Sequence, residues 1–399
     1  MTNLSITAST YFDRRNQLST TLAYYLAFVM LGLVAISLGP AIPSLAEQTR
    51  SGLSQISFIF TARAVGGLLG SFWLSRWYDR LPGHHLMALW LSLTALTLAL
   101  IPLMGQLWLL LVVIVVLGMV EGTLHAGGNT LLVWVHGARV GPYMNGMHFF
   151  FGIGALLSPL IVAQIMLLTG DIRGPYWLLA LLILPAIIWL ARLPSPASPA
   201  GSTGSRSKPP VSRLVLGLFI LFFFLYVGLE VTYSGWIYTY TLTKGLAGES
   251  TAAYLISAFW GAITLSRLLN VALAIRFRPQ AVLYVDLGGA LLCAGLMLFW
   301  SDSLSVLWLG TIGLGLFLAS VFSTVIALAE RRMPISGRTT GRFLVGASLG
   351  AMCLPWLVGQ LFEPVGPSVL MVTIAAALLA ALGVLIGLEH FSATLKEDV

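Results

Sequence analysis

Twelve runs of apolar residues, each about 20 residues long, leave this chain few ways to fold. They lie near 21–43, 53–75, 84–104, 107–135, 144–168, 174–192, 213–240, 250–275, 280–300, 304–328, 339–361 and 367–389. In hydrocarbon every backbone N–H and C=O must be bonded within the protein, so runs of this length become bilayer-crossing helices. The composition points the same way. Of the 399 residues 58% are hydrophobic and 9% charged, with a mean hydropathy of +0.93, against about 25% charged in soluble domains. The formal charge of +7 does not point to nucleic acid, because the basic residues are scattered through short loops and form no patch with interleaved aromatics. Cys293 and Cys353 both lie inside apolar runs, so no disulfide framework is implied. About twenty polar-leaning residues precede the first run, and no cleavable leader is expected.

The stretch LPSPASPAGSTGSRSKPPVSR, beginning at Leu193, has no hydrophobic period and reads as a flexible linker. It divides the chain into a first half, 1–192, a linker, 193–212, and a second half, 213–399. Basic residues set the orientation. With the N-terminus inside, sixteen Lys and Arg residues fall on the cytoplasmic side, and only Arg50, Arg173 and Lys244 fall opposite. Both termini are therefore expected in the cytoplasm, at the inner membrane. The halves also echo each other: Arg63 in FTARAVGGLLGSFWLSRWYDR and Arg267 in WGAITLSRLLNVALAIRFR each precede a helix stretch that ends in basic residues. The expected fold is an all-α membrane protein of twelve helices in two pseudo-symmetric six-helix halves, which is the organisation of a major facilitator transporter.

Inside the fourth run, LGMVEGTLHAGGNTLLVW places Glu121, His125 and Asn129 four residues apart, on one helix face. Gly118, Gly122, Gly127 and Gly128 remove bulk beside them, so that another backbone or a ligand can come close. An ionisable residue in a membrane span marks a functional site by default. Glu121 is the deepest acid of the first half and Glu230 the only other acid deep in an apolar run. His125 either relays a proton or packs as a neutral imidazole; Asn129 either meets a solute hydroxyl or bonds across helices. His148, on the antiparallel fifth helix, falls near the level of Asn129. Trp236 and Trp260, with Tyr233, offer faces for a sugar ring or serve as packing. Asp286 lies only a few residues into its span and is expected to point toward water.

Several motifs carry a resemblance. GSFWLSRWYDRLPGH (Gly70–His84) resembles the facilitator-superfamily loop between the second and third helices, which implies a latch built on Asp79 and Arg80. The extra Trp77-Tyr78, and His84 where a Lys or Arg is usual, depart from that pattern. HFFFGIGALLSPL, LYVGLEVTYSGWIYTY, AYLISAFWGAITLSRLL, EGTLHAGGNTLLVW and LGAMCLPWLVGQLFE are similar to the sodium-dependent glucose transporter group, which is allied to the fucose:proton symporters. The resemblance covers most of both halves and implies cation-coupled uptake of a sugar-like solute. By that resemblance Glu121 matches a fourth-helix acid engaged in proton coupling and sugar binding, and Asn129 matches a polar position further along the face. One departure is the first run, Leu22–Ser44, which carries no acid.

The expectations are then specific. A solute site forms from Glu121, His125, Asn129, Glu230, Trp236 and Trp260, with Glu121 and Glu230 as coupling acids. Arg63, Arg267, Asp79, Arg80 and His148 serve structure or gating, although either intramembrane arginine would also suit an anionic solute. A proton or sodium ion is the only cofactor expected, and protons are favoured because no second acid stands beside Glu121. The expected partners are the bilayer and a small solute, with the chain monomeric and no nucleic acid. Neither a metal-ligand spacing nor a nucleophile–base arrangement is readable, so an enzyme is not expected. The competing readings are an exporter or flippase of amphipathic compounds or lipids, and a receptor on the same fold.

Overall fold

A computed structural model of the chain describes residues 14–196, 212–333 and 337–397. Most of the linker, with Arg206 and Lys208, lies outside these residues. Eleven helices among the described residues are long and apolar enough to cross a membrane. The expected eighth span is also a helix, Glu249–Arg276, as long as its neighbours.

In chain order the first six spans are α1 (Arg14–Ile36) with α2 (Leu38–Gln48), α3 (Leu53–Ile56) with α4 (Phe58–Phe72), α5 (Gly83–Leu100), α6 (Leu107–His136), α7 (Val140–Thr169) and α8 (Arg173–Arg192). The last six are α9 (Arg213–Thr243), α10 (Glu249–Arg276), α11 (Pro279–Phe299), α12 (Leu304–Leu318) with α13 (Val321–Arg332), α14 (Gly337–Val365) and α15 (Val369–Glu397). A 30-residue helix such as α6 is about 45 Å long, more than enough to cross the hydrocarbon. The first span breaks at Ser37 for a local reason. Pro40 has no N–H to bond Ile36 and its ring crowds that carbonyl, so the ladder stops and restarts. The Ser37 hydroxyl donates to Val34 O at 2.9 Å, satisfying a carbonyl near the break.

The two sets of six spans pack by the same scheme. In the first, α1 lies along α7 and α4 along α6; in the second, α9 lies along α14 and α10 along α12. These are span 1 on 5 and 2 on 4, then 7 on 11 and 8 on 10. Lipid-embedded helices gain from close backbone approach, and glycine allows it. A Cβ at Gly32 would stand 2.0 Å from Phe151 O, and one at Gly350 would stand 1.9 Å from Phe224 O, at the matching crossing of the other set.

The sets meet through α7 against α10, α4 and α3 against α14, and α2 against α9. The cross-set hydrogen bonds lie on the side away from the chain termini. Gln360 Nε2 donates to Ser54 O at 2.7 Å and to Ser57 Oγ at 3.1 Å. Leu53 N donates to Glu363 Oε1 at 2.9 Å, and Gln164 Nε2 to Tyr254 OH at 2.6 Å. On the terminus side, Asp79 and Arg80 are exposed, and no ion pair among the described residues includes either. The expected latch is not formed in this state.

The crossings make a prediction. Gly350→Val forces α9 and α14 apart, and overpacking of this kind costs about 2 kcal/mol or more. It should lower the melting temperature in detergent by several degrees, as should Gly32→Val. Gly288→Ala, whose Cβ would meet open space, should leave it unchanged; equal melting of all three variants would refute the packing account.

Candidate functional site

The site begins where α4 and α6 touch. A Cβ at Gly118 would stand 2.1 Å from Arg63 O, and one at Gly122 would stand 2.3 Å from Gly67 O. That approach brings the Arg63 side chain level with Glu121. Arg63 Nε donates to Glu121 Oε2 at 2.7 Å and Nη2 donates to Oε1 at 2.6 Å, the two-pronged geometry that suits a guanidinium and a carboxylate. Arg63 Nη1 donates to Ala35 O at 2.7 Å, near the break that ends α1. The carboxylate side chain is 10% exposed and the arginine 23%. A buried pair of this kind is strongly destabilised when one partner is lost.

The pair forms one wall of a cavity of about 270 Å³ between the two sets of spans. Gly67, Gly118, Gly122 and Phe151 continue that wall, and Glu230, Ser234, Gly235 and Trp260 stand opposite. The cavity therefore holds three charged side chains, a hydroxyl and aromatic faces, a convergence typical of small-ligand sites. Of the expected site residues, Glu121, Glu230 and Trp260 line it, as does Arg63. Tyr226, one turn back on α9, hydrogen-bonds Glu230, and Arg267 lies within electrostatic reach of the same carboxylate.

His125, Asn129, His148 and Trp236 do not line it. His125 and His148 each stand edge-on to Phe28, with ring centroids 5.3 Å and 5.9 Å away, and His125 also meets Phe151. A face four residues apart drifts around the helix and away from the midplane, so only its first member reaches the cavity. Asn129 Oδ1 is buried with no hydrogen-bond partner. Trp236 is fully buried; its Nε1 donates to Pro355 O at 2.9 Å, and its ring stacks on Phe362 at 5.2 Å. Both of those partners are on α14, within its own set; its ring contact with the other set is Phe60, at 6.0 Å. Tyr233 turns away as well, with its hydroxyl 2.5 Å from Thr311 Oγ1.

Asp286 corrects its expectation outright. It does not point to water: it is 8% exposed and hydrogen-bonded by the Ser320 hydroxyl. Depth along a span says how far a residue lies from the water, not which side of the helix faces protein, and α12, α13 and α15 cover this face of α11. Ser234, Phe151, Gln360 and Glu363 had no signal beyond their motifs, because their roles come from the opposing set of spans.

The Major Facilitator Superfamily model matches residues 24–341. The chain belongs to that superfamily. Among curated relatives, sodium-dependent glucose transporter 1 of Xenopus laevis is 30% identical over 393 residues, covering 90% of this chain and 79% of that protein. Sodium-dependent glucose transporter 1A of Mus musculus is 28% identical over 397 residues, covering 90% and 93%. Human major facilitator superfamily domain-containing protein 4A is 28% identical, covering 88% of each chain. The resemblance read from the motifs is thus shown over most of the chain. Solved structures share the fold: a mutant of the nucleoside transporter NupG gives a TM-score of 0.76 at 14% identity, covering 94% and 99%. A bacterial homologue of the human lysosomal transporter Spinster, inward-facing and occupied, gives 0.69 at 14% identity, covering 98% of each. The chain is an integral membrane transporter by family, not an enzyme.

The Arg63–Glu121 pair carries a thermodynamic prediction. Arg63→Met and Glu121→Met should each destabilise the detergent-solubilised protein, by on the order of 3 kcal/mol, because each strands a buried charge. The double variant strands none and should melt above either single variant. Additive losses in this cycle, measured by thermal melting, would show that the two side chains do not act as a pair.

Proposed function

We propose that this transporter carries a monosaccharide-like solute across the membrane by alternating access, coupled to a proton or sodium gradient. The observation that carries the reading is the cavity between the two sets of spans, with Arg63 and Glu121 on one wall and Glu230, Ser234 and Trp260 on the other. Its volume, about 270 Å³, lies at the small end of ligand pockets and suits a compact polar solute better than a lipid. Carboxylates accept from hydroxyls, the guanidinium orients its carboxylate, and Trp260 and Phe151 offer apolar surface to a ring. The relatives named as glucose transporters support the solute class.

The sixteen-to-three bias of basic residues supports cytoplasmic termini in the inner membrane. On that orientation the sets are closed toward the outside by the Gln360, Glu363 and Gln164 contacts, and the Asp79–Arg80 latch is open on the inside. The polar linker then joins two six-helix halves that rock about the cavity, within a monomer.

Uptake into proteoliposomes tests the reading. Labelled hexoses, pentoses, nucleosides and lipids are offered, with proton and sodium gradients imposed separately. Accumulation of a hexose or pentose under one gradient is expected; accumulation of lipid alone, or of nothing, defeats the proposal. Two variants sharpen it. Glu121→Ala removes a cavity acceptor and should raise the half-saturating solute concentration tenfold or more. Trp236→Phe loses the bond to Pro355, which lies within the second set, and should leave that concentration within about twofold, since Trp236 does not line the cavity.

A further inference from the structure

The buried charges of the two sets do not balance alike. In the first, Arg63 and Glu121 neutralise each other through two hydrogen bonds. In the second, the guanidinium of Arg267 acts on Glu230, with Tyr226 hydrogen-bonded beside it, and the other buried carboxylate, Asp286, has the Ser320 hydroxyl instead. Tyr226 also donates to Leu318 O at 3.3 Å and is in the field of Glu230, Arg267 and Asp286 together, so these groups form one cluster reaching from the cavity into the packing of α9 and α11. Asp286 is 8% exposed. Its only polar partner among the described residues is the Ser320 hydroxyl, and no ion pair among them includes it.

An unpaired carboxylate in low dielectric is costly, and the cluster relieves the cost by taking up one positive charge. We propose that the coupling cation of this transporter binds in the second half, on Asp286, with Tyr226, which is in the field of both Glu230 and Asp286, linking the cation site to the cavity wall. Movement of Glu230 toward a solute changes the field at Tyr226 and so at Asp286, and solute and cation affect each other's affinity through that cluster. Glu121 is then a solute ligand whose charge is already matched, and the sequence expectation that it couples is replaced. The inference rests on the proposed cation coupling.

The other titratable groups near the cluster are His148, which faces Arg267 from α7, and, one turn nearer the terminus side, Tyr284, which donates to Glu389 Oε2 at 2.8 Å. Arg332 donates to Leu388 O there. Glu330, Arg331 and His390 lie exposed at the ends of α13 and α15. Deeper along α11 is Cys293. None of these is hydrogen-bonded to Asp286.

Infrared difference spectra of the purified full-length protein test the assignment without a solute. Acid is titrated in one series, and sodium is exchanged against choline in another. The wild type should show one buried carboxyl responding to one of the two cations. Asp286→Asn should abolish that signal and Glu121→Gln should retain it. Ser320→Ala should move the half-saturating cation concentration about tenfold, toward tighter binding of a proton, because a donor to the carboxylate is lost, or toward weaker binding of sodium, because an oxygen ligand is lost. In proteoliposomes Asp286→Asn should exchange solute across the membrane yet fail to accumulate it. If Asp286→Asn does not fold, Ser320→Ala and Asp286→Glu carry the test. A signal that survives in Asp286→Asn, is lost in Glu121→Gln, or is absent from the wild type with both cations overturns the proposal. Should the wild type accumulate no sugar while the carboxyl signal follows Asp286, the solute reading fails and the cation site stands.

Discussion

An ionised side chain in hydrocarbon must find an opposite charge, and much of this molecule is arranged around how that is met on α4 and α6. Arg63 reaches Glu121 because glycines on both helices let the backbones approach to contact, and its remaining amino group reaches Ala35 O where α1 ends. The break of the first span thus lies beside the charge pair: Pro40 frees the Ile36 carbonyl, and the guanidinium bonds the carbonyl of the preceding residue. Three spans are tied to one point by a single side chain, and that point is a wall of the cavity.

The same crossings recur in the second set of spans, with Gly350 against Phe224 O standing where Gly32 against Phe151 O stands in the first. The chemistry has not been repeated with the packing. The second set keeps an arginine at the matching place on α10 but moves its acids to α9 and α11. One repeat thus presents an ion pair, while in the other no ion pair among the described residues includes Glu230, Asp286 or Arg267. On the proposed coupling, the first offers a stable surface for solute and the second a group whose charge changes.

Hydrogen bonds between the sets cluster on one side only, at Ser54, Ser57, Gln360 and Glu363. Each has a backbone or uncharged partner on at least one side, with the Glu363 carboxylate accepting one of them, and they lie at the ends of the spans, where water is available as a substitute when they open. Trp236, stacked on Phe362 and tilted against Phe60, lies in the same contact. This bonded side contrasts with the other, where Asp79 and Arg80 are exposed.

The sequence by itself determined the length and place of the spans and marked the candidate residues of the cavity wall, because each depends on local composition: hydrocarbon thickness fixes helix length, and an acid in an apolar run is anomalous wherever it lies. It placed Glu121, Glu230, Trp260 and Arg63 among the functional residues, all of which line the cavity. What it could not decide was direction. His125 and Asn129 share a nominal face with Glu121, yet neither lines the cavity, and His125 packs against Phe28. Trp236 and Trp260 are alike in sequence, and only the opposing spans turn one into a packing group and leave the other on a wall. Asp286 was read as a water-facing residue from its depth alone. Its burial was decided by α12, α13 and α15 covering that face of α11, a fact of packing between residues far apart in the chain.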